Sequence, residues 1–181
     1  MVLVSVYRPK VFESLQDDSA LVGGDASVVV RHEELARLFQ SLGDKLAEDG
    51  KYHEALGKWE NAITLMPDNA VLHEQKAQVL LEIGDAWSAL KAATRATELS
   101  SSWVEAWVTL GRSQLNFGEP DSAIESFDRA LAIKPDSEDA QLDRKTAAHL
   151  ISKRKHLHPS GMSACQNRFL VGHDCNVDRK P

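Results

Sequence analysis

The chain has 181 residues, of which 43% are apolar and 27% charged, with 27 acidic against 21 basic side chains and a formal net charge of −6. That composition predicts one domain of ordinary size, and no apolar run approaches the roughly 18 residues of a membrane-spanning helix. Two cysteines, Cys165 and Cys175, make no disulfide framework and suit a reducing compartment, so a cytoplasmic or nuclear protein is expected.

Residues 1–30 mix short apolar pieces with Gly23, Gly24 and several Asp and Ser, without sustained helical or strand periodicity. A poorly ordered segment is the expectation there. The alternatives are a helix over residues 28–38 that runs into the next element, or a peptide-like segment that docks in a groove of its own or another copy. The opening residues 1–6 are apolar, but they lack a preceding basic stretch and run into Arg8, Pro9 and Lys10, which argues against a secretory signal.

From residue 36 a period of 34 organises the chain. Small residues recur at that spacing as Gly43, Ala77 and Gly111, as Ala55, Ala89 and Ala123, and as Ala62, Ala96 and Ala130, with Gly50, Gly84 and Gly118 at each mid-unit break. The units are residues 36–69, 70–103 and 104–137. Leu56, Trp59, Ile63 and Met66 in the first, and Ile124, Phe127 and Leu131 in the third, have the three-to-four spacing of a helix that buries one face. Pro67 and Pro135 stop those helices, Pro120 suits a first-turn position, and Ser102 with Glu105 predicts a capping box opening the third unit. The second unit is degenerate, with His73 and Lys76 at apolar positions, Ala93 where its neighbours carry Trp59 and Phe127, and Ser101 in place of proline. A last helix over about 138–151 is expected to cap the stack, presenting Asp139, Asp143, Arg144 and Lys145 on a charged outer face.

A unit of 34 residues with these small positions, with Trp59, Trp107 and Phe127 as large packing residues, resembles the helix-turn-helix of the tetratricopeptide repeat family. The resemblance implies an all-α, right-handed α-solenoid of three repeats plus a capping helix over residues 31–151, and a binding role rather than catalysis. Lys58 with Trp59 and the block at residues 103–112 go beyond the repeat consensus and are similar to one short three-unit member without known enzymatic activity.

In such an array the first helices line a concave groove. By register, Arg37, Gln40, Asp44, Ala47 and Glu48, then Val71, Glu74, Gln78, Leu81 and Glu82, then Glu105, Val108, Arg112, Leu115 and Asn116 are expected to project into it. Five acids face two arginines. Such a trough suits a peptide or helix segment carrying Lys or Arg beside an aliphatic anchor. Co-chaperones of the family resemble one another in a basic clamp for C-terminal carboxylates. The matching positions here are Gln40, Asp44, Gln75, Glu105 and Thr109, none of them cationic, so that role is not expected. The alternative function is a small structural subunit that meets a larger assembly through convex or terminal surfaces. Of the four tryptophans, Trp87 and Trp103, near unit junctions, are the candidates for partner contact.

Charge divides the chain. Residues 36–150 hold 12 basic and 19 acidic side chains, a net of −7, whereas residues 151–181 hold six and two, a net of +4. No nucleic-acid binding is expected from the acidic core, and the remainder from residue 152 reads as a flexible basic tail. His156, His158, Cys165, His173 and Cys175 have no recognised zinc spacing, so no metal is assigned. Lys153, Arg154 and Lys155 read equally as an import signal or as favourable charge at a helix C-terminus. No cofactor motif or nucleophile motif is present, and a monomer or weak self-association is expected.

Overall fold

The computed structural model describes residues 26–157, which form seven helices: α1 (Ala26–Glu48), α2 (Tyr52–Leu65), α3 (Ala70–Ile83), α4 (Ala86–Leu99), α5 (Val104–Phe117), α6 (Pro120–Ile133) and α7 (Glu138–Leu157). Helices α3, α5 and α7 start 34 residues apart, at Ala70, Val104 and Glu138, and so do α2, α4 and α6, at Tyr52, Ala86 and Pro120. Three antiparallel pairs, α1 with α2, α3 with α4 and α5 with α6, stack in order, and α7 packs on α6. The fold is an all-α solenoid, and none of the helices described is long and apolar enough to cross a membrane.

Local chemistry explains the boundaries. Asn69 accepts from the Val71 amide at 3.0 Å to open α3, and Asp85 accepts from the Ser88 amide at 3.0 Å to open α4. Gly84 and Gly118 end α3 and α5 at φ of 89° and 97°, a left-handed cap that lets each pair turn back on itself. Pro120 stands in the first turn of α6, where its missing amide costs nothing. Helices α2 and α6 stop two residues before Pro67 and Pro135, because a proline pushes its predecessor out of helical geometry. Ser100 adopts the same geometry after α4 without a proline beyond it, at φ of −139° against −133° for Met66.

Three helix ends differ from the expectations. The Ser102 and Glu105 capping box does not form: the N-cap of α5 is Trp103, which shifts Glu105 to the second helical position and out of reach of that pattern, and no side chain caps this end. Helix α1 starts at Ala26, so residues 26–30 are helical, while residues 1–25 lie outside the described residues. Helix α7 continues to Leu157, six residues past the expected end of the cap, and includes Lys153, Arg154, Lys155 and His156 in its last turns. Among these, Arg154 bridges to Asp121 of α6 at 2.5 Å.

The core is built where each pair closes. Ala55, Ala62, Ala77, Ala89, Ala96, Ala123 and Ala130 are fully buried, as are the large rings of Trp59 and Phe127. Trp107 is half-buried, donates its indole N–H to the Ser101 carbonyl at 2.8 Å, and carries the Arg129 guanidinium 5.2 Å over its ring. Gly43 lies against Trp59 so closely that an added Cβ would sit 2.5 Å from the indole nitrogen, and Gly111 lies against Phe127 with the same 2.5 Å clearance. The degenerate second unit replaces both members: Ala77 stands where the glycines are and Ala93 where the rings are, and both are fully buried.

Gly111→Ala is therefore expected to destabilise the fold by about 1–3 kcal/mol through overpacking. Gly57→Ala, inside α2 with nothing within 4 Å of the added carbon, should be neutral or stabilising by up to about 1 kcal/mol. Urea unfolding of the two variants beside the parent checks both signs.

Candidate functional site

Helices α1, α3, α5 and α7 lie side by side, and their shared face is tied together by polar contacts that repeat in register. Between α1 and α3, the Gln40 amide donates to Gln75 Oε1 at 3.1 Å, and Gln75 in turn donates to Asp44 Oδ1 at 3.0 Å. The buried Trp59 indole of α2 donates to the same Asp44 oxygen at 3.1 Å. Between α3 and α5, the Thr109 hydroxyl donates to Glu74 Oε1 at 2.8 Å, and Gln78 also donates to that oxygen. Between α5 and α7, Arg112 Nε donates to Asp143 Oδ2 at 2.6 Å, with Asp139 3.8 Å from the guanidinium.

Register explains why these residues meet. Gln40 and Glu74 each reach a partner 35 residues on, whereas Asp44 and Arg112 each reach one 31 residues on, so the same two helix positions bridge successive units. Helix α7 thus occupies the place of a fourth first helix. Asp143, expected on the outer face of the cap, is buried at 5% exposure instead, because it falls 34 residues after the buried Thr109. Asp139, Leu142 and Asp143 belong to the face, a fourth column legible only by carrying the period past residue 137.

The residues expected to line the face fall into two layers. Glu74, Val108 and Ala47 are buried and form its floor. Gln40, Asp44, Val71, Gln78, Leu81, Glu82, Glu105, Arg112 and Leu115 are half-buried along it, with Glu48 and Asn116 exposed at its edge. Arg37 is exposed and reaches back to Glu33 of its own helix at 3.7 Å, so it is not brought into the polar ladder.

Electrostatics follow from this burial. Asp44 is pushed above the ordinary carboxylate range chiefly by desolvation, with Glu48 adding to the shift and the hydrogen bonds from Trp59 and Gln75 opposing it. Desolvation alone raises Glu82. Desolvation also raises Asp143, against the opposing charge of Arg112. Among the described residues no three His, Cys, Asp or Glu side chains gather as a metal site, and His158, Cys165, His173 and Cys175 lie outside the described residues.

A second surface feature involves Trp87, one of the two tryptophans singled out from the sequence, and a ring partner that the sequence did not announce. Trp87, at the start of α4 and 53% exposed, packs at 5.5 Å between ring centroids against Phe117, at the end of α5 and 43% exposed. Lys91 lies 4.8 Å over the Trp87 ring. Trp103, by contrast, is half-buried as the N-cap of α5.

Comparison with known proteins places this geometry. A family model described as tetratricopeptide repeat matches residues 74–138. Tetratricopeptide repeat protein 33 of Xenopus laevis is 50% identical over 93 residues, 51% of this chain and 36% of the relative, and the Homo sapiens protein of that name is 41% identical over 102 residues, 56% and 39% respectively. The matched region is thus little more than a third of the length of these relatives. A solved structure described as the first tetratricopeptide domain of Spaghetti (RPAP3) bound to the HSP90 peptide SRMEEVD superposes with a TM-score of 0.64 at 20% identity, covering 66% of this chain and 95% of that one. The chain is an all-α helical-repeat solenoid with the fold of tetratricopeptide domains, it matches the tetratricopeptide repeat model over residues 74–138, and its repeats resemble those of tetratricopeptide repeat protein 33.

Proposed function

We propose that the face of α1, α3, α5 and α7 binds a peptide or helix segment of a protein partner, one that carries Lys or Arg beside an aliphatic anchor, and that the protein acts as a non-enzymatic interaction scaffold. The observation that carries this reading is the charge of the face. Asp44, Glu48 and Glu82 stand half-buried or exposed among Val71, Leu81 and Leu115, and both arginines expected on the face are paired with acids, Arg112 with Asp143 and Arg37 with Glu33. A cationic ligand finds complementary potential there, and the apolar side chains supply contact area.

A carboxylate-clamp role has little support. At the five positions that match the lysines, asparagines and arginine of a clamp stand Gln40, Asp44, Gln75, Glu105 and Thr109, none of them cationic. Gln40, Asp44 and Gln75 are already hydrogen-bonded to one another, and Thr109 is bonded to Glu74. An acidic C-terminus placed there would meet carboxylates in a half-buried site, a like-charge cost of several kcal/mol. The Spaghetti domain shares the frame, and its bound peptide is acidic; the charge on this chain's face is opposite to what such a ligand needs.

A second reading, contact with a larger assembly through other surfaces, is favoured by the exposed Trp87 and Phe117 pair, since paired aromatics are frequent anchors. It predicts that Trp87→Ala, and no change on the inner face, abolishes partner binding in co-purification.

Fluorescence anisotropy tests the first reading with two labelled peptides: SRMEEVD, and an amidated counterpart whose three acidic residues are replaced by lysine. The basic peptide should bind at least about tenfold tighter. The combined variant Glu48→Lys, Glu82→Lys and Glu105→Lys, checked for helicity by circular dichroism, should reverse the preference. Asp44 is left intact because the Trp59 indole depends on it. Tighter binding of SRMEEVD to the parent would overturn the reading.

The raised carboxyls add a pH signature. Asp44 and Glu82 hold their protons above the ordinary range of about 4, a bound Lys or Arg favours their ionised forms, and binding therefore releases protons. Affinity for the basic peptide should fall on acidification and begin to do so above the ordinary carboxylate range, and calorimetry on that limb in two buffers of different ionisation enthalpy should detect the released protons.

A further inference from the structure

The outer face of α1 carries an apolar stripe that the later units bury. Positions 38, 72, 106 and 140 are equivalent at the period of 34, yet Leu38 is 54% exposed whereas Leu72, Ala106 and Ala140 are fully buried. Leu42 is 37% exposed against 6% for its equivalent Leu110, and Leu35 is 40% exposed. In the later units the preceding second helix covers this position: Leu72 sits in one cluster with Ala55 and Ala62 of α2, and Ala140 in one with Ala123 and Ala130 of α6. Nothing stands before α1 among the described residues.

The stripe has a defined chemistry. Arg31, Leu35, Leu38, Leu42 and Lys45 follow one another at spacings of four, three, four and three, so a basic side chain closes each end of an aliphatic row on one helix face. Its natural cover is an apolar segment with negative charge. Residues 11–22 of the same chain have that composition: Val11, Phe12, Leu15, Leu21 and Val22 with Glu13, Asp17 and Asp18, and no basic residue. They join α1 through Gly23, Gly24 and Asp25, a sequence suited to a reversal of direction. A chain turning back there runs antiparallel to α1 and brings Asp17 and Asp18 level with Arg31. Leu38 lies about 18 Å along α1 from Ala26, and the 13 residues from Phe12 to Gly24 reach that far even at the 1.5 Å rise of a helix.

From this we infer that residues 11–22 of the same chain cover the Leu35, Leu38 and Leu42 stripe of α1, in the place that a preceding repeat would fill. The segment closes the amino-terminal end of the solenoid, and it goes beyond the groove reading, on which it does not depend.

The test uses the full chain with photoreactive benzoylphenylalanine in place of Leu38. After irradiation, mass spectrometry should find a single-chain product cross-linked within residues 11–22, and Leu15→Glu should cut its yield at least fivefold. Independently, Phe12→Glu with Leu15→Glu in the otherwise unaltered chain should raise amide hydrogen exchange over residues 35–42 about tenfold, because those substitutions remove the cover without touching the repeat core. A two-chain product would make a second copy the occupant, and a single-chain product elsewhere, no cross-link, or unchanged exchange would equally overturn the inference.

Discussion

Every other feature of this solenoid depends on how closely the two helices of each pair approach. In the first and third units a glycine lies flush against a large ring, Gly43 on Trp59 and Gly111 on Phe127, and the space left for a single carbon is 2.5 Å from the ring in both. Ala77 with Ala93 meets the same constraint with two small residues. Total volume across the contact is shared out differently while the spacing is held, which is how cores tolerate substitution. The second unit's departure from its neighbours is thus compensated at this contact, and its register is undisturbed.

Once the pairs are set, the first helices stand side by side and a polar ladder links them. Gln40 with Gln75 and Asp44, Glu74 with Thr109 and Gln78, and Arg112 with Asp143 place one set of contacts at each junction. Buried polar groups are costly unless satisfied, so these bonds constrain the angle between units as well as contributing stability. Core and face meet at Asp44, whose one carboxylate oxygen accepts both the Trp59 indole of α2 and the Gln75 amide of α3.

Much of this was legible from spacing alone. The period of 34 marked the starts of α3, α5 and α7, because small residues at closely packed positions leave a visible trace. Single-residue shifts were not legible: Ser102 and Glu105 have the right spacing for a capping box, and only the start of α5 at Val104 separates them from it. Burial of charged residues was also hidden. Glu74 and Asp143 read as surface acids by composition, and their positions below the face follow from cross-unit partners 35 and 31 residues away, which no local pattern announces. Helix α1 begins at Ala26, ahead of the repeat register, and three consecutive β-branched valines at 28–30 carry no helical periodicity that would have announced it.

A double-mutant cycle at Ala77 and Ala93 tests the central constraint most directly. Ala93→Phe alone should be destabilising through a clash with the Ala77 side chain, and Ala77→Gly alone through lost packing and helix propensity. Together they recreate the pairing of the third unit, so urea unfolding should show a favourable coupling of at least about 1 kcal/mol between them. Additive losses would contradict the account, because the small residues would then be incidental to how the helices pair.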